Sequence, residues 1–340
     1  MTDSQDLIDV FDARVQRRSD RRALFTTIMG AAAVGTGLAF ASAAQAQTLT
    51  DADILNFALN LEYLESNFYY YAAFGTPIPA TSINSGNGAT VGVPANAATS
   101  NGVLLNAGAR AVTFSDPGVQ AYAREIAADE LNHVTFLRAA LGTAAVAQPV
   151  LDVGITPTGA FSSAARAAGL ISSAAAGVAQ TSVFDAYAND VNFLYGSFIF
   201  EDVGVTAYRG ASSLLTNKTY LDAAAGILAV EAYHAAIVRT SLDQFAVATP
   251  AIRAATEAIS NVRDAVDGTS DDDQGIAQIA NAVGTVSNIV PTDPNGLAYG
   301  RTAGQVLNIV YLNSSLKSTA SGGFFPAGLN GTIKTSTANS

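Results

Sequence analysis

The two histidines of this 340-residue chain each stand three positions after a glutamate. The first motif is Glu130-x-x-His133 and the second is Glu231-x-x-His234. Residues three apart in an α-helix lie on one face, one turn from each other, so a carboxylate and an imidazole with this spacing can bind one metal ion. Because glutamate occurs only seven times in the chain, two chance matches would be rare. The motifs predict two helices that each present a metal-binding pair.

A second pair of glutamates shares a different spacing. Glu62 is followed seven residues later by Tyr69, and Glu201 is followed seven residues later by Tyr208. Seven residues return to the same helix face within about 20°. The chain therefore contains two successive helix pairs, in which a Glu…Tyr helix precedes a Glu-x-x-His helix.

Apolar residues recur with helical spacing in four long segments. We predict long helices over residues 51–73, 116–141, 182–210 and 217–245, a short helix near 164–170, and further helical segments at 251–266 and 301–312. Pro117 in a first turn and Gly142 after a last turn are typical helix boundaries. The intervening segments 75–115 and 142–181 are rich in small and polar residues and predict long loops.

This arrangement resembles the ferritin-like bundles, in which two helices give one glutamate each and two others give Glu-x-x-His. More narrowly, the chain resembles the ferritin-like group that includes exported bacterial proteins and plant desiccation-related proteins. Segments 60–65 (Asn-Leu-Glu-Tyr-Leu-Glu), 201–208 (Glu-Asp-Val-Gly-Val-Thr-Ala-Tyr) and 322–326 (Gly-Gly-Phe-Phe-Pro) carry this narrower match. The resemblance, from about residue 50 to 331, implies an all-α fold. We expect a four-helix bundle over 47–248 and a helical and irregular extension over 249–340 that packs on it.

The resemblance also implies a pair of divalent metal ions in the bundle core. Their ligands would be Glu62, Glu130, His133, Glu201, Glu231 and His234. Four ionised carboxylates in an apolar core repel one another, and two divalent ions would balance their charge. Oxygen and nitrogen donors without thiolate suit iron or manganese, with zinc as a third option, and the chain has no cysteine.

Several roles stay open at this stage. Glu65 is the alternative ligand from the first helix, although Glu62 alone matches the spacing of the third helix. Tyr69 and Tyr208 are candidate catalytic residues that could hydrogen-bond to the ligands or carry electrons, or they could be half-buried core residues. Arg138 and Arg239, each five residues after a histidine, would either pair with carboxylates behind the ligands or lie at the surface.

The first 46 residues are typical of an export signal. The pair Arg21-Arg22 precedes an apolar stretch, and Ala44-Gln45-Ala46 matches a small-x-small cleavage site. This layout predicts a twin-arginine signal peptide and a periplasmic or secreted protein without a stable membrane span after cleavage. A membrane anchor is the alternative, but the run is short for a span.

Composition narrows the possible partners. The net charge of −11 disfavours nucleic acid, which requires a basic surface. Metal ions and small oxidants are the expected partners, with oligomerisation open. The interpretation is an exported dimetal-carboxylate protein of stress protection that oxidises ferrous iron or consumes peroxide or oxygen. The alternative is a non-catalytic cell-envelope stress or desiccation-related protein whose metal is structural or absent.

We expect Asp271-Asp272-Asp273 to form a solvated acidic turn.

Overall fold

The computed structural model describes residues 49–83, 103–281, 284–315 and 317–338. The predicted signal peptide, residues 1–46, and part of the predicted loop 75–115 lie outside the described residues. The helices of the described chain are α1 (Asp51–Phe74), α2 (Pro117–Leu141), α3 (Ala160–Ala167), α4 (Asp190–Ser212), α5 (Lys218–Ala248), α6 (Ala251–Asp267) and α7 (Ala303–Val310). The strands are β1 (Val103–Leu105), β2 (Leu151–Asp152), β3 (Ile279–Asn281) and β4 (Gly284–Val286), and short 3-10 turns span Ala80–Ser82 and Gly142–Ala144.

The all-α prediction is confirmed, and the four long helices form the bundle. Helix α1 packs along α2, and α4 packs along α5. The two pairs meet where α1 contacts α4 and α2 contacts α5. The strands form two small two-stranded sheets, β1 with β2 in parallel and β3 with β4 in antiparallel. They lie outside the bundle and do not contribute to its architecture.

Local signals fix where the bundle helices begin. Thr50 and Asp53 form a capping box at the start of α1, and the side chain of Asp116 accepts hydrogen bonds from two backbone N–H groups at the start of α2. Such caps satisfy N–H groups that have no partner within the helix. The predicted start of the third helix at residue 182 is wrong, because Asn189 caps α4 and the helix begins at Asp190.

An aromatic cluster joins the C-terminal extension to the bundle. The ring of Phe324 packs 4.9 Å from the ring of Phe200 on α4 and 5.2 Å from that of Phe161 on α3. Phe68 on α1 lies 5.5 Å from Phe200. Aromatic pairs at these distances stabilise a core beyond the area that they bury. The extension therefore covers the α1–α4 face, whereas the α2–α5 face keeps exposed side chains such as Tyr233.

The acidic segment 271–273 differs from its prediction. Asp273 is buried and accepts hydrogen bonds from Arg263 at 2.6 Å and from Arg301 at 3.0 Å. Arg263 also reaches Asp202 on α4 at 3.1 Å. Charges leave water without a large penalty only when they are paired and hydrogen-bonded, and this network provides that pairing. The solvated-turn prediction is thus wrong for Asp273, which belongs to an ion-pair network that ties the extension to α4.

One helix in the described part of the chain, α5, is long and apolar enough to cross a membrane by length and composition alone. A core helix of a globular protein meets the same criterion. Helix α5 lies in the bundle and carries the buried side chains of Glu231, His234 and Arg239, so its hydropathy is weak evidence for a span.

Candidate metal centre

The six predicted ligands come from all four bundle helices. Helix α1 gives Glu62, α2 gives Glu130 and His133, α4 gives Glu201, and α5 gives Glu231 and His234. All six residues are buried, and His133 is the most accessible at 8% exposure. The three-residue spacing within α2 and α5 directs each imidazole to the same side as its glutamate. The structure brings all six side chains together at the bundle centre.

The ligand atoms form two overlapping groups. One comprises Glu62, Glu130, His133 and Glu231, and the other comprises Glu130, Glu201, Glu231 and His234. Within each group, one ligand atom per residue lies within 4.8 Å of all the others. Glu130 and Glu231 belong to both groups. The two groups thus share a pair of glutamates, and each group adds one histidine and one further glutamate.

The imidazoles lie on either side of this shared pair. His133 Nδ1 is 3.2 Å from a Glu62 oxygen and 3.7 Å from oxygens of both Glu130 and Glu231. His234 Nδ1 is 3.1 Å from Glu130 Oε1 and 3.6 Å from Glu201 Oε2. The two ring centroids are 6.3 Å apart. Both imidazoles thus direct the same nitrogen, Nδ1, at the carboxylates.

Several buried side-chain atoms of the site lack hydrogen bonds, and this bears on whether the site suits metal ions. Both carboxylate oxygens of Glu130 and of Glu231, one oxygen of Glu201 and Nδ1 of His234 are buried and lack a hydrogen bond of good geometry, although His234 Nδ1 and Glu130 Oε1 are 3.1 Å apart. A buried polar atom without a partner is costly, and more so when it is charged. Two cations would satisfy every one of these atoms. The donor set and its geometry therefore fit a pair of divalent ions.

Burial is the main cause of the raised pKa values of Glu62, Glu201 and Glu231. It raises the pKa of Glu62 to about 7 and that of Glu201 to about 8. It also raises the pKa of Glu231 well above its ordinary value, and Glu130 adds repulsion there. Carboxyl groups that share a low-dielectric site resist ionising together. Without metal, the centre therefore holds protons that a cation would displace.

The pKa values of the two imidazoles are raised and that of Glu130 is lowered, so these three groups favour their charged forms. Burial alone would lower the pKa of an imidazole, but the carboxylates that face them raise the pKa of His133 to about 11 and that of His234 to about 9. Burial would likewise raise the pKa of Glu130, but the two flanking imidazoles hold it below its ordinary value. Glu130 is thus the most strongly ionised carboxylate of the metal-free centre.

The two tyrosines bind the terminal glutamates reciprocally. Tyr69 on α1 donates a hydrogen bond to Glu201 on α4, and Tyr208 on α4 donates one to Glu62 on α1. Both tyrosines are buried, with 0% and 6% exposure respectively, so the expectation of half-buried core residues is wrong. Their hydroxyl groups hold the glutamates in place across the α1–α4 contact.

Two residues at the centre carry roles that the sequence analysis did not assign. Asp129 Oδ2 lies 3.2 Å from Nε2 of His234, and such a carboxylate orients an imidazole towards a metal. Gly204 on α4 faces Glu231, because a β-carbon at position 204 would lie 2.4 Å from Glu231 Oε2. An acidic residue directly before the Glu-x-x-His motif was the available signal for Asp129. Nothing in the local sequence of Gly204 indicates its partner.

The remaining candidates lie around the six ligands. Glu65 is buried and belongs to neither ligand group. Arg239 donates to Asp202 at 2.8 Å, and Asp202 is the residue after Glu201. Arg138 donates to the hydroxyl of Tyr63 at 2.6 Å. The sequence left open whether the arginines pair with carboxylates or lie at the surface. Arg239 pairs with a carboxylate, that of Asp202 beside the centre.

Comparisons with known proteins agree with this geometry. Residues 50–244 match the ferritin-like domain family. The chain belongs to that family. The match covers all four bundle helices up to residue 244, including every candidate ligand. No solved structure gives a significant match.

Two relatives of this ferritin-like chain have informative names. A ferritin-like catalase of Nesocodon mauritianus is 27% identical over 291 residues, covering 83% of this chain and 84% of the relative. A desiccation-related protein of Craterostigma plantagineum is 28% identical over 193 residues, covering 57% of this chain and 53% of the relative. The chain thus spans about half the length of the desiccation-related protein and most of the catalase.

Proposed function

We propose that this ferritin-like protein holds two iron or manganese ions and disproportionates hydrogen peroxide to water and dioxygen. In the balanced reaction two peroxide molecules give two water molecules and one dioxygen molecule, so one peroxide is reduced and the other is oxidised. The observation that carries the proposal is the overlap of the two ligand groups at Glu130 and Glu231. Two iron or manganese ions held there would supply a two-electron redox couple. The relative named as a catalase, which aligns along most of the chain, supports the same reaction.

The protein groups would hold and orient this couple. Glu62 and Glu201 would each bind one ion, with one carboxylate oxygen fixed by a tyrosine hydroxyl. Asp129 would orient His234. The side chain of Asp129 is 39% exposed and that of His133 is 10% exposed. This polar edge on the α2–α5 face is a suitable entrance for peroxide, which hydrogen-bonds as water does.

The decisive experiment compares Glu130→Gln with Glu125→Gln. Glu130 belongs to both ligand groups, whereas Glu125 is exposed on the same helix. Each variant is loaded with iron or manganese, and dioxygen release from peroxide is recorded with an oxygen electrode. We expect Glu130→Gln to lose the activity and Glu125→Gln to retain it. Wild-type protein that binds two metal ions and releases no dioxygen would refute the proposal.

A second function rests on the match to the desiccation-related protein. In this case the metal would stabilise the fold without turnover, because binding to the folded state alone raises stability. Thermal melting with and without a chelator separates the two functions. A large metal-dependent shift in melting temperature, together with no reaction towards peroxide or ferrous iron, would favour the structural role.

A further inference from the structure

An apolar cavity of about 240 Å³ lies beside the bundle, between α3, α4, α6 and α7. Its wall is mainly apolar and includes Ala164, Phe184, Ile199, Ile259, Val266 and Ile309, together with Arg263, whose charge is paired with Asp202 and Asp273. Ala167 and Ser314, which are both exposed, lie at its rim. The cavity is below the range of about 300–1,000 Å³ that holds drug-sized ligands. It exceeds the dry engineered cavity of about 150 Å³ that binds benzene or xenon. Its size and lining therefore suit a very small apolar molecule.

A second, smaller cavity of about 20 Å³ lies next to the first, on the side of the metal centre. Ile199 on α4 and Ile309 on α7 line both cavities. They therefore form the partition between the two. The inner cavity is otherwise lined by apolar residues of α1, α4 and the extension, together with Glu65 and Gly204.

The inner cavity reaches the carboxylates of the centre at Gly204. A β-carbon at position 204 would lie 2.4 Å from Glu231 Oε2 and 3.5 Å from Glu65 Oε1. The absence of a side chain at this position thus brings Glu65 and Glu231 against the wall of the cavity. The outer cavity, the partition of Ile199 and Ile309, and the inner cavity thus lie between the rim at Ala167 and Ser314 and Gly204, which packs against the shared glutamate Glu231.

The apolar cavities on the α1–α4 side differ in character from the surface of the α2–α5 side. Asp129 and His133 form a polar edge on the α2–α5 face, where water and peroxide can be hydrogen-bonded. The cavities lie on the α1–α4 side, beneath α7 and Phe324. The centre therefore has one polar and one apolar approach, and these favour different molecules.

We propose that the two cavities form the route for dioxygen between the surface and the metal centre, with Ile199 and Ile309 as its constriction. The inference deepens the proposed function, since dioxygen is the apolar product of peroxide disproportionation. Dioxygen would use the same path inwards if the reduced centre reacted with it. An apolar lining favours a molecule that forms no strong hydrogen bonds, because water or peroxide would lose hydrogen bonds on entry.

The first test uses xenon as a probe for the route and does not depend on turnover. Crystals of the protein are pressurised with xenon, and the anomalous signal is located. We expect xenon in the outer cavity of the wild type. In Ile309→Ala, which opens the partition, we expect an additional site in the inner cavity. Wild-type protein without xenon in the outer cavity, or Ile309→Ala without xenon in the inner cavity, would overturn the proposal.

The second test measures rates with two oxidants. The reduced iron-loaded protein is mixed with dioxygen or with peroxide in a stopped-flow instrument, using Ile309→Phe and the control Leu214→Phe. Leu214 is 53% exposed and lines neither cavity. We expect Ile309→Phe to slow the dioxygen reaction about tenfold, an added barrier of about 1.4 kcal/mol. Its peroxide reaction and both reactions of Leu214→Phe should change little. Equal slowing of the two oxidants in Ile309→Phe would overturn the route.

The outcomes separate this inference from the proposed function. Should Ile309→Phe fail to fold, Ile309→Ala replaces it and is expected to accelerate the dioxygen reaction. A wild type that fails to consume peroxide refutes the proposed function only, and xenon occupancy then decides the route. A wild type that consumes peroxide but takes up no xenon in either cavity refutes the route only.

Discussion

The hydroxyl of Tyr208 on α4 donates a hydrogen bond to Oε1 of Glu62 on α1. The other oxygen of Glu62 faces His133 Nδ1 at 3.2 Å. Glu62 is therefore held between a neutral donor and an imidazole, and Tyr208 fixes which oxygen remains for a metal ion. The seven-residue spacing predicted that Tyr208 shares a helix face with Glu201. Its hydroxyl nevertheless binds Glu62, on the neighbouring helix α1.

Removing this hydroxyl should weaken metal binding without unfolding the protein. We expect Tyr208→Phe to bind two ions still, with the affinity for one of them reduced about tenfold, because loss of a partner behind a ligand typically costs about 10–100-fold. Calorimetric titration with manganese measures the effect. The matched control is Tyr233→Phe on α5, since Tyr233 is 71% exposed. Unchanged affinity in Tyr208→Phe would contradict the role of the hydroxyl.

A methyl group at position 204 should disturb the shared glutamate. We expect Gly204→Ala to displace Glu231, destabilise the metal-loaded protein by about 1–3 kcal/mol and reduce bound metal below two equivalents. Gly226→Ala on α5 is the control, because a β-carbon there meets nothing within 4 Å and should be neutral or slightly stabilising. Chemical denaturation and elemental analysis give the two readouts. Two full equivalents of metal in Gly204→Ala would show that Glu231 is not constrained as described.

The stability of the metal-free protein should fall as pH rises from about 5 to 9. The folded state raises the pKa of Glu62 to about 7, of Glu201 to about 8 and of His234 to about 9. Each group binds its proton more tightly when folded, so each contributes stability below its unfolded pKa and loses it as pH passes the folded value. Metal binding displaces these protons and strengthens with pH.

The measurement is the difference in melting temperature between metal-loaded and chelator-treated protein across this pH range. We expect the difference to increase with pH. A difference that is constant or decreases would show that these carboxylates and imidazoles do not exchange protons for metal.

Export can be tested independently of chemistry. We propose that residues 1–46 direct the protein through the twin-arginine route to the periplasm or the exterior. Replacing Arg21 and Arg22 by lysine should retain the full-length chain in the cytoplasm, whereas replacing Arg17 and Arg18 by lysine should not. Cell fractionation with an immunoblot distinguishes the two results. Export that persists in the Arg21 and Arg22 variant would argue against this route.

The sequence was sufficient to predict the bundle and to select the six side chains that meet at its centre. The three-residue spacing in α2 and α5 and the seven-residue spacing in α1 and α4 each specify a helix face. The start of α4 could not be placed in this way. Residues 182–189 continue an apolar pattern, but Asn189 adopts a cap conformation and its side chain accepts the N–H of Asn192.

Long-range polar partners were beyond the reach of sequence patterns. Arg239 pairs with Asp202, and Arg301 pairs with both Asp267 and Asp273. Members of these pairs are 28 to 37 residues apart. No helical or strand period relates them, because the packing of α4 on α5 decides the first pair and the fold of the extension decides the other two. The same reason hid the contact between Gly204 and Glu231, which depends on how closely α4 approaches α5.

We propose that two ions share Glu130 and Glu231 in the bundle core. Anomalous diffraction at the iron and manganese absorption edges, from crystals of protein purified after native export, tests it most directly. We predict two peaks of one or both metals, both adjacent to Glu130 and Glu231, with one beside His133 and the other beside His234. A single peak, peaks only at the surface, or no anomalous signal at either edge would contradict it.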